Sequence, residues 1–392
     1  MEEILQPEVV IIGAGAAGLM CAIEAGKRGR KVLVLEHNQS AGKKILISGG
    51  GRCNFTNLNA GPGNYLSQNP DFCRSALARY TPTDFLKLVE AHGIGYHEKK
   101  LGQQFCDTSA REILDLLLSE CAEAGVRVIY GVHVAAMSKG DRFRVDTSRG
   151  TVSAETCVIA CGGLSLPKIG ATDFAYRIAE QFGHRLVETR AGLVPLTFQG
   201  RMRSFCSGLS GVSVDVEANC AGKTFRENLL FTHRGLSGPS ILQISSFWQT
   251  GEELSIDLMP DQNAVDLLED AKARDIRMDN LLSQKLPSRF AGQFALEFGP
   301  LRPLKQYNSK ERAQIAATLK KWPVRPDGSE GYVTAEVTIG GVDTRDINQK
   351  TLESRKLSGL FFIGECVDVT GWLGGYNFQW AWSSGFCAGQ VC

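Results

Sequence analysis

The first apolar run of the chain, Val9-Val10-Ile11-Ile12, is β-branched throughout, the pattern of a strand buried on both faces. It passes directly into Gly13-Ala14-Gly15-Ala16-Ala17-Gly18 and a helical stretch ending near Gly29. A second buried strand, Lys31 to Leu35, stops at Glu36. Further on, the pattern predicts a helix over Ser109–Ala124, strands near Val126–Tyr130 and Val132–Met137, and a hairpin near Asp141–Val152. The strand Cys157–Ala160 then runs into Cys161-Gly162-Gly163. From about 191 the pattern changes to short alternating segments such as Val212–Val216 and Leu254–Leu258, which read as β. Residues 261–325 look helical, and Gly331–Val342 returns to β. The last buried strand, Leu360–Ile363, stops at Gly364-Glu365, and a final helix is expected from Gln379 onward.

These elements predict an α/β fold with a nucleotide-binding domain in two pieces, 1–190 and 343–392. Between them lies an inserted substrate domain: β over 191–260, a basic helical subdomain over 261–330, and a return strand over 331–342. A length of 392 residues suits two or three domains. With 43% apolar and 22% charged residues the chain can bury a large core, which excludes disorder as a description of the whole. The N-terminal stretch has no basic segment and no small-residue cleavage site, and no apolar run approaches a membrane span, so a cytoplasmic protein without membrane attachment is expected. The 12 cysteines include no Cys-x-x-Cys pair; they are expected to be reduced core thiols, and no metal site is expected.

The first βαβ unit carries the clearest chemistry. Gly-x-Gly-x-x-Gly between a strand and a helix, with an acid 18 residues after Gly18, is the dinucleotide-binding arrangement. Gly13 permits the tight turn, Gly15 lets the backbone approach a pyrophosphate, and Gly18 lets helix and strand pack closely. The helix N-terminus then offers unpaired N–H groups to the phosphates. Glu36 suits ribose hydroxyls and argues against a 2′-phosphate, so the bound dinucleotide is FAD or NAD rather than NADP. No second such motif follows a later strand. One non-covalently held FAD, reduced by a transient NAD(P)H donor, is therefore expected.

Three further glycine-rich segments need an explanation. Lys43-Lys44-Ile-Leu-Ile-Ser48-Gly49-Gly50-Gly51-Arg52-Cys53-Asn54 suits a loop wrapped around a cofactor. Phe231-Thr232-His233-Arg234-Gly235-Leu-Ser-Gly-Pro239 lies in the inserted domain. Gly364-Glu365-Cys366-Val-Asp368 leads through Gly371-Trp372 to Gly374-Gly375-Tyr376-Asn377-Phe-Gln379 and the last helix, whose N-terminus suits the pyrimidine edge of a flavin.

On these runs the chain resembles a bacterial family of FAD-dependent oxidoreductases that includes aminoacetone oxidase and the ribosomal-RNA dihydrouridine synthase. Glu227-Asn-Leu-Leu-Phe-Thr-His-Arg and Tyr65-Leu-Ser-Gln-Asn-Pro70 look most similar to the second branch. The resemblance implies a glutathione-reductase-type FAD domain, an inserted β-barrel, a small helical domain, and reduction of a uridine in 23S ribosomal RNA. One departure is Cys366, where an apolar residue is expected, which argues against catalysis by Cys366.

With the motifs, the resemblance implies a cofactor-binding set of Gly13, Gly15, Ala16, Ala17, Gly18, Glu36, Lys44, Ser48, Gly49, Gly50, Arg52, Cys53 and Asn54. It continues with Val134, Ala160, Gly162, Gly364, Glu365, Asp368, Gly374, Gly375, Tyr376, Asn377 and Gln379. Asn377 and Gln379 are expected on the flavin ring, and Tyr376 and Trp372 as stacking partners or core. Cys53 and His233 are the two candidates for a proton donor, and Arg234 for holding a carbonyl or phosphate. Residues 285–325 carry nine Lys or Arg against Glu297 and Glu311, a net of +7. Lys305, Lys310, Arg312, Lys320, Lys321 and Arg325 are therefore expected to face ribosomal RNA; no stable protein partner is inferred. Two other readings stay open: a small-molecule amine oxidase of the aminoacetone type using oxygen, and a flavin-loaded RNA-binding factor without turnover.

Overall fold

The computed structural model describes residues 5–300 and 302–392. They fall into two units, one made of the described residues up to Arg190 together with Val337–Cys392, the other of Ala191–Glu336.

The first unit is built on a five-stranded parallel sheet in the order Leu360–Phe362, Thr156–Ile159, Val9–Ile12, Val32–Glu36, Arg127–Tyr130. The uninterrupted apolar runs are explained by burial of both faces: Val9, Val10 and Ile11 have no exposed surface, and neither do Val158 and Ile159. Helix Ala16–Lys27 packs on the final helix, Tyr376–Gly389. Their approach depends on two glycines one turn apart. A Cβ on Gly385 would lie 2.5 Å from the Ala17 carbonyl oxygen, and one on Gly389 would lie 2.6 Å from the Glu24 Cβ. The final helix also buries Trp382, which stacks on Phe85 at 4.4 Å and donates its indole N–H to the Phe55 carbonyl at 2.8 Å. Truncating such a ring costs about 3–5 kcal/mol.

Several local expectations change. The final helix begins at Tyr376, ahead of Gln379, because left-handed Gly375 (φ 94°) turns the chain into it. The expected hairpin is the last part of a three-stranded meander, Val134–Lys139, Phe143–Thr147 and Gly150–Ala154. Residues 54–106 also contain a small antiparallel sheet (Asn54–Asn57, Gln103–Cys106, Tyr96–Glu98) and a helix, Pro82–Ala91.

The second unit holds a seven-stranded antiparallel sheet in the order Trp322–Val324, Leu254–Asp257, Ser213–Cys220, Lys223–Phe231, Gly235–Ser237, Leu196–Thr197, Gly328–Ser329. In hydrogen-bonding terms this is a sheet with two end strands, where a barrel was expected. Helices Ser288–Phe298 and Ser309–Lys320 belong to the same unit. Phe290 of the first packs on Phe231 of the sheet at 5.6 Å, so sheet and helix share a core. The stretch 331–342, read as a single return strand, divides. Gly331–Val333 is a 3₁₀ turn in the second unit, whereas Val337–Val342 is a strand of the first, paired with Leu186–Gly192. No helix among the described residues is long and apolar enough to cross a membrane.

Candidate cofactor site

In the parallel sheet, successive strands run outward from Val9–Ile12 to one edge and then resume on its other side at Thr156–Ile159. The crevice at the carboxyl ends of those two strands is where such sheets take ligands. Gly13 leaves the first strand with φ 110°, and a Cβ on it would lie 2.6 Å from the Ala160 carbonyl oxygen; one on Gly18 would lie 2.0 Å from that of Gly13. Both glycines are required by the chain's own packing. Gly15 is different. Its φ of −85° is open to any residue, and a Cβ there meets nothing within 4 Å. The space it leaves lies over the N-terminus of helix Ala16–Lys27, which has no side-chain cap and no acid in its first turn. A bare cradle beside free amides fits the pyrophosphate of FAD.

Glu36 is 6% exposed. One carboxylate oxygen accepts from the Ala14 N–H at 2.8 Å and the other from the Asn38 N–H at 2.8 Å. The second oxygen also accepts from Asn38 Nδ2 at 2.9 Å, so the oxygen bonded to Ala14 is the one that keeps a lone pair for a ribose hydroxyl. The first and last motifs meet where a Cβ on Gly364 (φ 71°) would lie 2.9 Å from that of Ala17. Gly162 (φ 74°) faces open space, and Val134 is the half-buried first residue of the meander.

Lys44 and Glu365 belong to a network that includes two residues not foreseen from the sequence. Lys44 Nζ donates to Glu365 Oε2 at 2.6 Å and to Ser165 Oγ at 2.5 Å, and Ser165 Oγ donates to Glu365 Oε1 at 2.9 Å. Thr338 donates its backbone N–H to Glu365 Oε1 at 2.9 Å, and its hydroxyl accepts from the N–H groups of Leu164 and Ser165. The signal for Thr338 was Gly340-Gly341 just after it. Cβ atoms there would strike the carbonyls of Glu188 and Cys366, which marks a close approach within the first unit.

In the loop that follows helix Lys43–Ile47, Gly49, Gly50 and Gly51 are all left-handed. A Cβ on Gly49 would strike the Asn54 N and the Phe105 ring, whereas Gly50 and Gly51 face open space. Ser48 donates its hydroxyl to the Ile45 carbonyl, Arg52 is exposed, and Asn54 is half-buried at the head of its strand.

Three expectations are corrected. Cys53 has no exposed surface for a substrate to reach, which makes it a core thiol rather than a proton donor; the same burial pushes its thiol up to about 12. Gln379 is also fully buried. Its carbonyl oxygen accepts from Thr56 Oγ1 at 2.6 Å, and its amide donates to the Tyr80 carbonyl and to Ser383 Oγ, leaving no atom for a ring. Asn377 holds the turn before the helix, accepting from the Gly371 N–H at 2.8 Å and donating to the Gly371 carbonyl at 2.9 Å. Tyr376 is core, edge-on to Tyr65 and Trp372. Asp368 accepts from the Gln68 N–H at 2.8 Å, and burial raises its carboxyl. Cys366 is buried with its thiol toward the Ile363 carbonyl.

In the second unit, Thr232 Oγ1 accepts from the N–H groups of Gly235 (3.0 Å) and Arg234 (3.3 Å), and the turn leaves His233 and Arg234 exposed. Arg234 approaches Glu330 at 3.8 Å and, with Arg203, lines a cleft of about 340 Å³. The basic stretch 285–325 is largely neutralised by acids, most of them earlier in the chain. Lys305 pairs with Asp275, Arg312 with Glu269, Lys320 with Asp257, Arg302 with Glu311, and Arg325 approaches Glu253. Of the six cations expected to face RNA, only Lys310 and Lys321 have no ion-pair partner among the described residues. The net of +7 overstates the field because the window excluded those acids.

A family model described as "HI0933-like protein Rossmann domain" matches residues 7–391. The chain is 50% identical over 389 residues to a protein of Escherichia coli (strain K12) named ribosomal RNA dihydrouridine synthase, covering 98% of this chain and 97% of that one. It is 47% identical over 393 residues to a protein of the same name from Haemophilus influenzae, covering 97% of each. It is 29% identical, over 97% of its length and 98% of the relative's, to a 3-dehydro-bile acid Δ(4,6)-reductase of Clostridium scindens.

Proposed function

We propose that this chain, which belongs to the HI0933-like Rossmann-domain family of FAD-dependent oxidoreductases, reduces a uridine of large-subunit ribosomal RNA to dihydrouridine. The observation that carries the reading is the near-full-length identity of 50% to a ribosomal RNA dihydrouridine synthase, joined to a cofactor cradle whose Gly15 has no packing reason to be glycine. The charge of the 285–325 stretch adds little, because most of its cations are paired within the unit.

When bound and reduced, FAD would supply the hydride that uracil C6 accepts, and NAD(P)H would restore its electrons. The chain's part is to hold and to protonate. The amides at Ala16 and Ala17 bind the pyrophosphate, and Glu36 binds the ribose. The Lys44–Glu365–Ser165 network fixes the loop and the last strand against each other. As hydride reaches C6, the C5=C6 electron pair moves to C5, which must take a proton. His233 is the proposed donor, exposed on its turn and carrying a ring N–H that can pass a proton. Arg234 is proposed to hold a uracil carbonyl or a phosphate. The β unit is read as the substrate domain, and Lys310 and Lys321 are its remaining candidate phosphate contacts.

The test is anaerobic incubation of the purified, FAD-loaded chain with NADPH or NADH and ribosomal RNA, followed by nucleoside mass spectrometry. The reading requires dihydrouridine to form in stoichiometry with nicotinamide oxidised. Oxygen consumption with small amines and no product on RNA would replace it with an amine oxidase.

A further inference from the structure

The hairpin joining Tyr96–Glu98 to Gln103–Cys106 closes through an unusual pair of residues. Lys99 N–H donates to the Gln103 carbonyl at 3.1 Å and Gln103 N–H to the Lys100 carbonyl at 3.0 Å, so Leu101 and Gly102 are the centre of a two-residue turn. Both are left-handed, with φ of 52° and 78°. That turn favours Asn-Gly, because asparagine tolerates the conformation and leucine does not. Leu101 gains no burial in return: it is 59% exposed, and Leu58 beside it, whose N–H donates to the Gly102 carbonyl at 2.9 Å, is 46% exposed. The other described non-glycine residues with left-handed φ are Cys53, Leu166, Leu193 and Leu352, all buried or half-buried, and the small Ala221. Leu101 alone presents a large apolar side chain to solvent from a strained backbone.

The turn is held firmly. The Leu101 carbonyl accepts from Asn57 Nδ2 and Asn59 Nδ2, each at 3.2 Å. Asn57 is fully buried and also donates to the Gly374 carbonyl at 2.8 Å, in the segment that enters the final helix. A Cβ on Gly374 would lie 2.7 Å from Gln103 Nε2. The small sheet itself starts at Asn54, directly after the cofactor loop. The tip is thus braced on two cofactor segments, and neither folding nor packing accounts for leucine there. Strain held in place by its surroundings points to function.

We propose that Leu101 is a wedge for RNA. It enters the stack of bases and fills the gap left when the target uridine is turned out toward the flavin. It is a positioning residue, and the proposal rests on the RNA reading above. A base leaves its stack only against its stacking energy, and an inserted leucine is a known way to hold a step open. Lys99 and Lys100 precede it on the tip, a sequence suited to the phosphates of the opened step.

The experiment compares two substrates for the FAD-loaded full chain: a folded fragment of large-subunit ribosomal RNA and a short oligouridylate with little stacking to break. Leu101→Gly and Leu101→Asn remove the wedge with residues that fit the backbone. The expected result is an unchanged or raised Tm, an unchanged flavin absorbance spectrum, and a fall of about tenfold in the ratio of kcat/KM values, folded over unstacked. Leu101→Met should keep the ratio within about twofold. An unchanged ratio in both variants overturns the wedge and leaves the RNA reading standing. So does a change of oligomeric state in sedimentation, which would make the tip a contact between copies. If the unsubstituted chain reduces neither RNA, the functional reading falls, and the wedge with it.

Discussion

Lys44 Nζ lies 2.6 Å from Glu365 Oε2, joining the helix after the second parallel strand to the turn after the last one. The pair is flanked by Ser165 and Thr338, so four segments distant in sequence are fixed at the carboxyl edge of the sheet. Charge-assisted bonds of this kind contribute about 1.5–3 kcal/mol. Lys44→Met and Glu365→Gln are each expected to weaken FAD binding by roughly ten- to a hundredfold, read by flavin fluorescence on dilution. The double variant should lose little more than either single one, because both remove the same contact.

The glycines of the first motif separate by cause. Gly15→Ala puts a methyl group into open space, so the apoprotein's Tm should stay the same or rise slightly while FAD affinity falls. Gly18→Ala drives a methyl group onto the Gly13 carbonyl and should destabilise the apoprotein by about 1–3 kcal/mol, read by urea unfolding. Equal losses of apoprotein stability in both variants would remove the argument that Gly15 is reserved for a ligand.

Cys53 serves the core. Cys53→Ala should retain most of the turnover per bound FAD. The thiol of the native protein, pushed up to about 12 by burial, should resist a disulfide reagent at pH 8 until the chain is unfolded. His233→Ala is expected to lower kcat with flavin binding intact, as a proton donor requires.

Asp346 gives the fold a pH dependence. Burial alone would raise its carboxyl. The bonds from Arg185 and the charge of Lys356 outweigh that and hold it well below the ordinary carboxylate range. A carboxyl lowered in the folded state contributes stability that is complete above its unfolded value, about 3.9, and is lost as pH falls toward the folded one. Asp346→Asn should therefore destabilise the chain at pH 7 by about 1–3 kcal/mol. The difference from the unsubstituted chain should narrow below pH of about 4, read from urea midpoints.

The paired and unpaired cations of the second unit should part company. Arg312→Ala breaks the contact with Glu269 and should lower Tm with little effect on RNA affinity. Lys310→Ala with Lys321→Ala should leave Tm alone. If both touch phosphates, the pair should reduce the slope of log affinity against log salt by about 2.

The parallel sheet and its cofactor motifs were legible because the signal is local. A β-branched run, a glycine pattern and an acid at fixed spacing define a βαβ unit without help from the rest of the chain. What the sequence concealed depends on distant partners. Gln379 sits in a glycine-rich motif that reads as cofactor-facing, yet Thr56, Tyr80 and Ser383 occupy its amide. The basic stretch looked exposed because Asp257, Glu269 and Asp275 lie before it in sequence and beside it in space. Helix Pro82–Ala91 was readable after all: Thr81 and Asp84 form a capping box around Pro82 at the first helical position. The turn at Leu101-Gly102 was not, since nothing local marks a leucine as left-handed.

The central claim is tested most directly by nucleoside mass spectrometry of large-subunit ribosomal RNA from cells with the gene present, deleted, and restored. The account predicts that dihydrouridine is lost on deletion and returns with the unsubstituted chain, but not with Gly15→Glu, which fills the cradle meant for FAD. A dihydrouridine level unchanged by deletion would contradict it.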